Sequence, residues 1–107
     1  MQADKLVGHY AVIFVSQRRD GDHGYGETAA RMVELAAQQD GYLGIASSRD
    51  GNGFGITVSY WRDLEAIKQW REQVEHQAAR ERGRRDWYQS MQLQIAKIER
   101  AYDFTAQ

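Results

Sequence analysis

Residues 42–61 read YLGIASSRDGNGFGITVSYW, and this stretch decides the fold. Two runs rich in β-branched and aromatic residues, Tyr42 to Ser48 and Phe54 to Trp61, flank Arg49-Asp50-Gly51-Asn52-Gly53. That connection holds both an Asp-Gly and an Asn-Gly pair, which supply the positive φ angles of a tight turn, so the segment predicts a β-hairpin. Side chains alternate along a strand, so on the second arm Phe54, Ile56, Val58 and Tyr60 share one face. Gly55, Thr57, Ser59 and Trp61 share the other, and the two faces must meet different surroundings.

Upstream, His9 to Gln17 (HYAVIFVSQ) sets Ala11, Ile13 and Val15 on one face and Tyr10, Val12 and Phe14 on the other. This is a strand with apolar side chains on both sides. The polar, Gly-dense Arg18 to Gly26 predicts a surface connection. Glu27 to Gln39 then repeats Ala29, Met32, Val33 and Ala36 at helical spacing, and Gly41 follows where a left-handed residue favours glycine. Downstream, Asp63 is placed to cap a second helix whose apolar stripe is Leu64, Ile67, Trp70 and Val74. Glu75 to Tyr88 extends that helix, whole or broken, with Ala78 and Ala79 packing and Gly83 as a weak point. Met91 to Phe104 alternates through Met91, Leu93 and Ile95 and then changes phase to Ile98 and Tyr102. The switch predicts one long last strand with a bulge or bend in its middle. The order β-α-β-β-α-β is the split arrangement of an α+β, ferredoxin-like fold with an antiparallel sheet.

The 107 residues, 42% of them hydrophobic, suit one domain spanning 1–107. A chain this small gains from covering an exposed sheet face with a second copy of itself. The sequence contains no Cys, which excludes disulfides, thiolate metal sites and a cysteine nucleophile. No apolar run approaches the ~18 residues of a membrane span and no basic-then-apolar leader opens the chain, so a soluble, cytoplasmic protein is expected. Fourteen basic against 15 acidic residues, a net charge of −1, create no field favouring nucleic acid or an anionic membrane. No Pro and ten Gly fit regular elements joined by Gly-rich turns.

The segment Ser59-Tyr60-Trp61-Arg62-Asp63-Leu64-Glu65-Ala66-Ile67, followed by Trp70, Glu75-His76 and Trp87-Tyr88, resembles the central signature of small antibiotic biosynthesis monooxygenase (ABM) domain proteins. The closing Ile98-Glu99-Arg100-Ala101-Tyr102 is similar to their last strand. The resemblance implies a homodimer in which two sheets pack together and the last strands cross over to close a dimeric α+β barrel. It implies a pocket between sheet and helices in each subunit. Known activities of the family include oxygenation of polyketide-like phenols and quinols without metal or flavin, and oxidative opening of haem. Fold alone does not choose between them.

Cofactor-free oxygenation needs a substrate that gives an electron to oxygen once deprotonated, held in a dry pocket by a base and a group that steadies the anion. His76 is the first candidate base, since imidazole accepts a proton near neutral pH; a capping or surface histidine is the plainer reading. Arg80 is the candidate anion stabiliser. Trp70 and Trp61 are candidate walls for a flat aromatic ligand, against the plainer reading of core anchors, and Tyr60 and Tyr88 are candidate hydrogen-bond donors to it. The haem-degrading branch uses a tryptophan matched by Trp70, an Asn early in the first strand and a His about three turns after that tryptophan. Here the first strand has no Asn, the position ten residues past Trp70 is Arg80, and on a regular helix His76, six residues on, faces elsewhere.

Arg80, Arg82, Arg84 and Arg85 sit in a stretch whose charges nearly balance, which reads as a solvated helix laced with ion pairs rather than a nucleic-acid surface. His9 and His23 are isolated and no metal-site spacing occurs. The leading expectation is a monooxygenase without bound cofactor acting on a small aromatic, quinol-like or polyketide-like ligand. Haem binding or degradation is the first alternative, and a non-catalytic dimeric ligand-binding protein the second.

Overall fold

The computed structural model describes residues 2–106. Four strands, β1 (Tyr10–Arg18), β2 (Tyr42–Arg49), β3 (Phe54–Trp61) and β4 (Tyr88–Lys97), form one antiparallel sheet in the order β2-β3-β1-β4. Three helices, α1 (Tyr25–Ala37), α2 (Leu64–Glu72) and α3 (Val74–Arg82), complete the ferredoxin-like order. A short 3-10 turn, Ala3–Leu6, precedes β1, and a wide π turn, Gly83–Trp87, leads into β4.

The hairpin forms as its turn residues dictate. Asp50 Oδ1 accepts from the backbone N–H groups of Asn52 (2.9 Å) and Phe54 (3.0 Å), and Gly53 takes a φ of 88°. Register then assigns the faces. Tyr10 pairs with Trp61 and Lys97, Val12 with Ser59 and Ile95, and Phe14 with Thr57 and Leu93. These share the side on which the helices lie, because Trp61 packs there with Ala36, Ala66 and Ile67, each no more than 8% exposed. The opposite face carries Ile13, Val15, Ile56, Val58 and Tyr60, with Ile56 at 42% exposed.

Several elements differ from the sequence reading. Along α1, Ala36 is buried and Ala29 and Met32 are half-buried as the stripe requires, but Leu35 is buried in place of Val33, which is 46% exposed. In the second helix the inner face is Ala66, Ile67 and Trp70, whereas Leu64 and Val74 point to solvent. Gln73 breaks that helix with a ψ of 130°. Ala79 is half-buried and Ala78 is exposed. The last strand begins at Tyr88 and ends at Lys97 rather than running from Met91 to Phe104. Its one irregularity lies at the start, opposite Gln17 and Arg18. The phase change after Ile95 therefore marks the end of the strand and not a bulge within it, and Tyr102 and Phe104 stand 84% and 89% exposed beyond it.

Two local devices fix the helices on the sheet. The Asp63 carboxylate accepts from the Ala66 N–H at 2.8 Å and caps α2. Gly41, three residues beyond the Gln38 cap of α1, has a φ of 85°, and a Cβ there would lie 2.5 Å from Ala66 Cβ. Gly41→Ala should therefore cost about 1–3 kcal/mol through strain and overpacking against α2. Urea denaturation checks this, and an unchanged midpoint would show that the α1–β2 connection relaxes freely.

Candidate functional site

A run of stacked rings climbs from the sheet to the helices. Tyr42 meets Trp61 edge-on at 5.7 Å, Trp61 stacks on Trp70 at 5.9 Å, and Trp70 stacks on His76 at 3.9 Å with 12° between planes. Trp61 is fully buried and its Nε1–H donates to Ser59 Oγ at 2.9 Å, so it supports Trp70 from behind and presents no surface of its own. Trp70 and His76 are half-buried.

The break at Gln73 creates this arrangement. With the chain turned out of the helical path, the Trp70 carbonyl accepts from Gln73 N–H at 3.2 Å and bonds His76 Nδ1 at 2.8 Å. The Gln73 side chain in turn accepts from His76 N–H at 2.9 Å and caps α3. A carbonyl only accepts, so Nδ1 carries the proton of the neutral ring and Nε2 keeps its lone pair. The six-residue spacing, which on one continuous helix separates Trp70 from His76, here stacks them face to face. Burial pushes the His76 pKa down; the Trp70 carbonyl opposes that shift, and the charge of Arg80 adds to it. The result is a neutral imidazole with a free basic nitrogen lying on an aromatic plane.

The helices leave the β4 edge of their face uncovered. Met91, Leu93 and Ile95 are 39%, 51% and 49% exposed there, beside the half-buried Val12 and Phe14 of β1. This is an open apolar strip on the helix side of the sheet.

The six predicted site residues divide accordingly. Trp61, Trp70 and His76 form one stack. Arg80 lies one turn beyond His76, but its guanidinium donates to the Arg71 carbonyl at 3.2 Å and lines an open concavity at the surface. Tyr60 is on the opposite face of the sheet from Trp61. Tyr88 belongs to a second cluster, 5.3 Å from Phe14 and 5.9 Å from Tyr25. Burial, and then the neighbouring Tyr25 phenol, hold the Tyr88 hydroxyl above the usual phenol range. Around it Arg49 donates to Ser16 Oγ (2.8 Å), to Tyr25 OH (3.3 Å) and to the Gly53 carbonyl (2.6 Å), and Arg18 lies 3.7 Å over the Tyr25 ring. Sequence reasoning missed Gln73, Tyr25 and Arg49. Gln73 carries only the weak signal of a polar side chain three residues ahead of His76, and the other two carry none.

The sequence profile described as "Antibiotic biosynthesis monooxygenase" matches residues 9–82. An uncharacterized Bacillus subtilis protein, YqjZ, is 55% identical over 92 residues, covering 86% of this chain and 81% of its own. Among solved structures, SnoaB, described as a cofactor-independent oxygenase from Streptomyces nogalater, superposes with a TM-score of 0.71 at 14% identity over 94% of this chain and 95% of that one. A conserved Methanosarcina mazei protein gives 0.77 at 8% identity over 89% and 96%. At such identities these structures establish the shared fold. No helix among the described residues is long and apolar enough to cross a membrane.

Because burial lowers the His76 pKa, the unfolded chain binds its proton more tightly than the folded one. The neutral-ring contribution to stability is complete above the ordinary imidazole value of about 6.5 and fades as pH falls toward the folded value. NMR titration should give His76 a midpoint below that of a model imidazole, with Nδ1 protonated in the neutral form. A midpoint at or above the model value would refute the buried, carbonyl-anchored geometry.

Proposed function

The chain belongs to the antibiotic biosynthesis monooxygenase family, and on that premise we propose that it is a cofactor-independent monooxygenase oxidising a small aromatic, quinol-like or polyketide-like substrate with O2. The observation that carries this reading is the His76 ring, stacked on Trp70 and held through Nδ1 so that Nε2 is the open base. Nε2 takes the acidic proton of the bound substrate. The substrate anion passes an electron to O2, and the resulting radicals combine to form a carbon–oxygen bond. Loss of water from that peroxide leaves one oxygen atom on the product as a carbonyl and the other in water. All the electrons come from the substrate, which is why it must be electron-rich.

The exposed strip of Met91, Leu93 and Ile95 suits a flat apolar ligand lying against Val12 and Phe14. Trp70 forms the wall nearest the base, with Trp61 behind it. Arg80 acts on the reaction through its field at His76, favouring the neutral base, rather than by touching substrate. Haem fits this donor set less well. Ten residues past Trp70 the chain places Arg80, which cannot ligate iron and whose guanidinium is engaged by the Arg71 carbonyl.

The protein works as a homodimer in the cytoplasm on this reading. The sheet face bearing Ile13, Val15, Ile56 and Val58 is apolar and uncovered by helices, the surface that a second sheet would bury.

Oxygen uptake with hydroquinones, anthrones and flavonols tests the activity. His76→Ala should lower the rate by about 10²-fold or more, the usual contribution of a general base, while Trp70→Ala should raise KM and also lower kcat, because the indole seats the imidazole. Protein-dependent uptake that survives unchanged in His76→Ala would remove the mechanism. A Soret shift on haem titration, without uptake from any phenol, would move the assignment to haem. Sedimentation velocity should show a dimer for the native protein and a monomer for Ile56→Asp, and a native monomer at micromolar concentration would refute the barrel.

A further inference from the structure

Only part of the arginine run after His76 is the ion-paired surface its charge balance suggests. Arg82 and Arg85 do reach Asp86, at 3.7 and 3.1 Å. Arg80 and Arg84 point elsewhere, and with Lys68 and Arg71 they line an open concavity of about 590 Å³ formed by α2, α3 and the start of the turn after α3. Glu72 and Glu81 are also at this surface, so four cations face two carboxylates. Among the described residues none of the four cations forms an ion pair.

Arg80 is the most constrained of them. Its Nη1 donates to the Arg71 carbonyl at 3.2 Å, which holds two guanidinium-bearing residues side by side at the end of α2. A guanidinium carries five N–H donors in a planar fork, so most of those on Arg80 remain open to a ligand. Burial, and then the charges of Arg71 and Arg84, disfavour its cationic form, with Glu81 only partly offsetting them. An oxyanion with two or more charges would neutralise this repulsion and accept forked hydrogen bonds.

We propose that the concavity between α2 and α3, bounded by Lys68, Arg71, Arg80 and Arg84, binds a small soluble polyanion of the phosphate-ester class. The recessed shape favours a compact ligand that can enter it over an extended anionic surface, and the four cations outweigh Glu72 and Glu81. Because Arg80 also acts on His76, an occupied site would alter the charge felt by the ring one turn away.

Calorimetric titration with inorganic pyrophosphate at constant ionic strength tests the site, with phosphatidylglycerol vesicle flotation as a second arm. The expected result is saturable binding that weakens by about tenfold or more in Arg80→Gln and Arg84→Gln, as loss of a forked charge-assisted contact requires. Arg85→Gln, outside the concavity, should bind normally. Arg84→Gln carries the test by itself if loss of Arg80 from the end of α2 unfolds the protein. Absence of saturable pyrophosphate binding, or an equal loss in Arg85→Gln, overturns the proposal. Vesicle binding without pyrophosphate binding also overturns it, by assigning the cations to a lipid surface.

Discussion

The indole of Trp61 is the joint on which the molecule turns. It ends β3, fills the space under α1 and α2 with no exposed surface, and touches Ala36, Ala66 and Ile67 as core. The same ring is the base of the stack that carries Trp70 and then His76. Core and candidate site are thus one continuous packing unit. The position of the imidazole is set by close-packed aromatics rather than by a loop, which fixes its geometry for the proposed proton transfer.

What surrounds that joint is also tied by polar contacts at the rim. Arg62 forms a forked bond to Asp40, at 3.1 and 2.9 Å, joining the end of β3 to the turn after α1. Arg31 makes a similar fork with Glu75 between α1 and α3, at 3.0 Å for each bond. Both pairs are exposed, so each adds little stability. Their planar geometry instead restricts how the helices slide over the sheet.

The features legible in sequence were those settled locally. Asp50 and Gly53 specify their turn by side-chain acceptor and positive φ, Asp63 caps α2, and the alternation of residues 54–61 separates the two faces correctly. Other features depended on partners far along the chain. In α1, periodicity selected Val33 where Leu35 is buried, a choice made by the surfaces packed against the helix and not by spacing. A bulge and a strand end leave the same phase change, and only pairing with β1 distinguishes them. A broken second helix is one of the readings the sequence leaves open, but Gln73, neither Pro nor Gly, does not mark where the break falls. A regular helix therefore predicted separation of Trp70 and His76 where the structure stacks them. The direction of Arg80 was likewise invisible, since spacing places a residue on a turn but does not choose its hydrogen-bond acceptor.

On the proposed mechanism, the carbonyl that holds His76 also bears on how the ring would recover after each proton transfer. Nδ1 donates to the Trp70 oxygen whether or not Nε2 is protonated, so gaining or losing a proton requires neither a ring flip nor an exchange of partners. As the proposed base, the imidazole would reset between turnovers with almost no nuclear rearrangement. A fixed dipole of this kind reduces the reorganisation energy of proton transfer, and it does so with a backbone atom that no side-chain substitution at residue 70 removes.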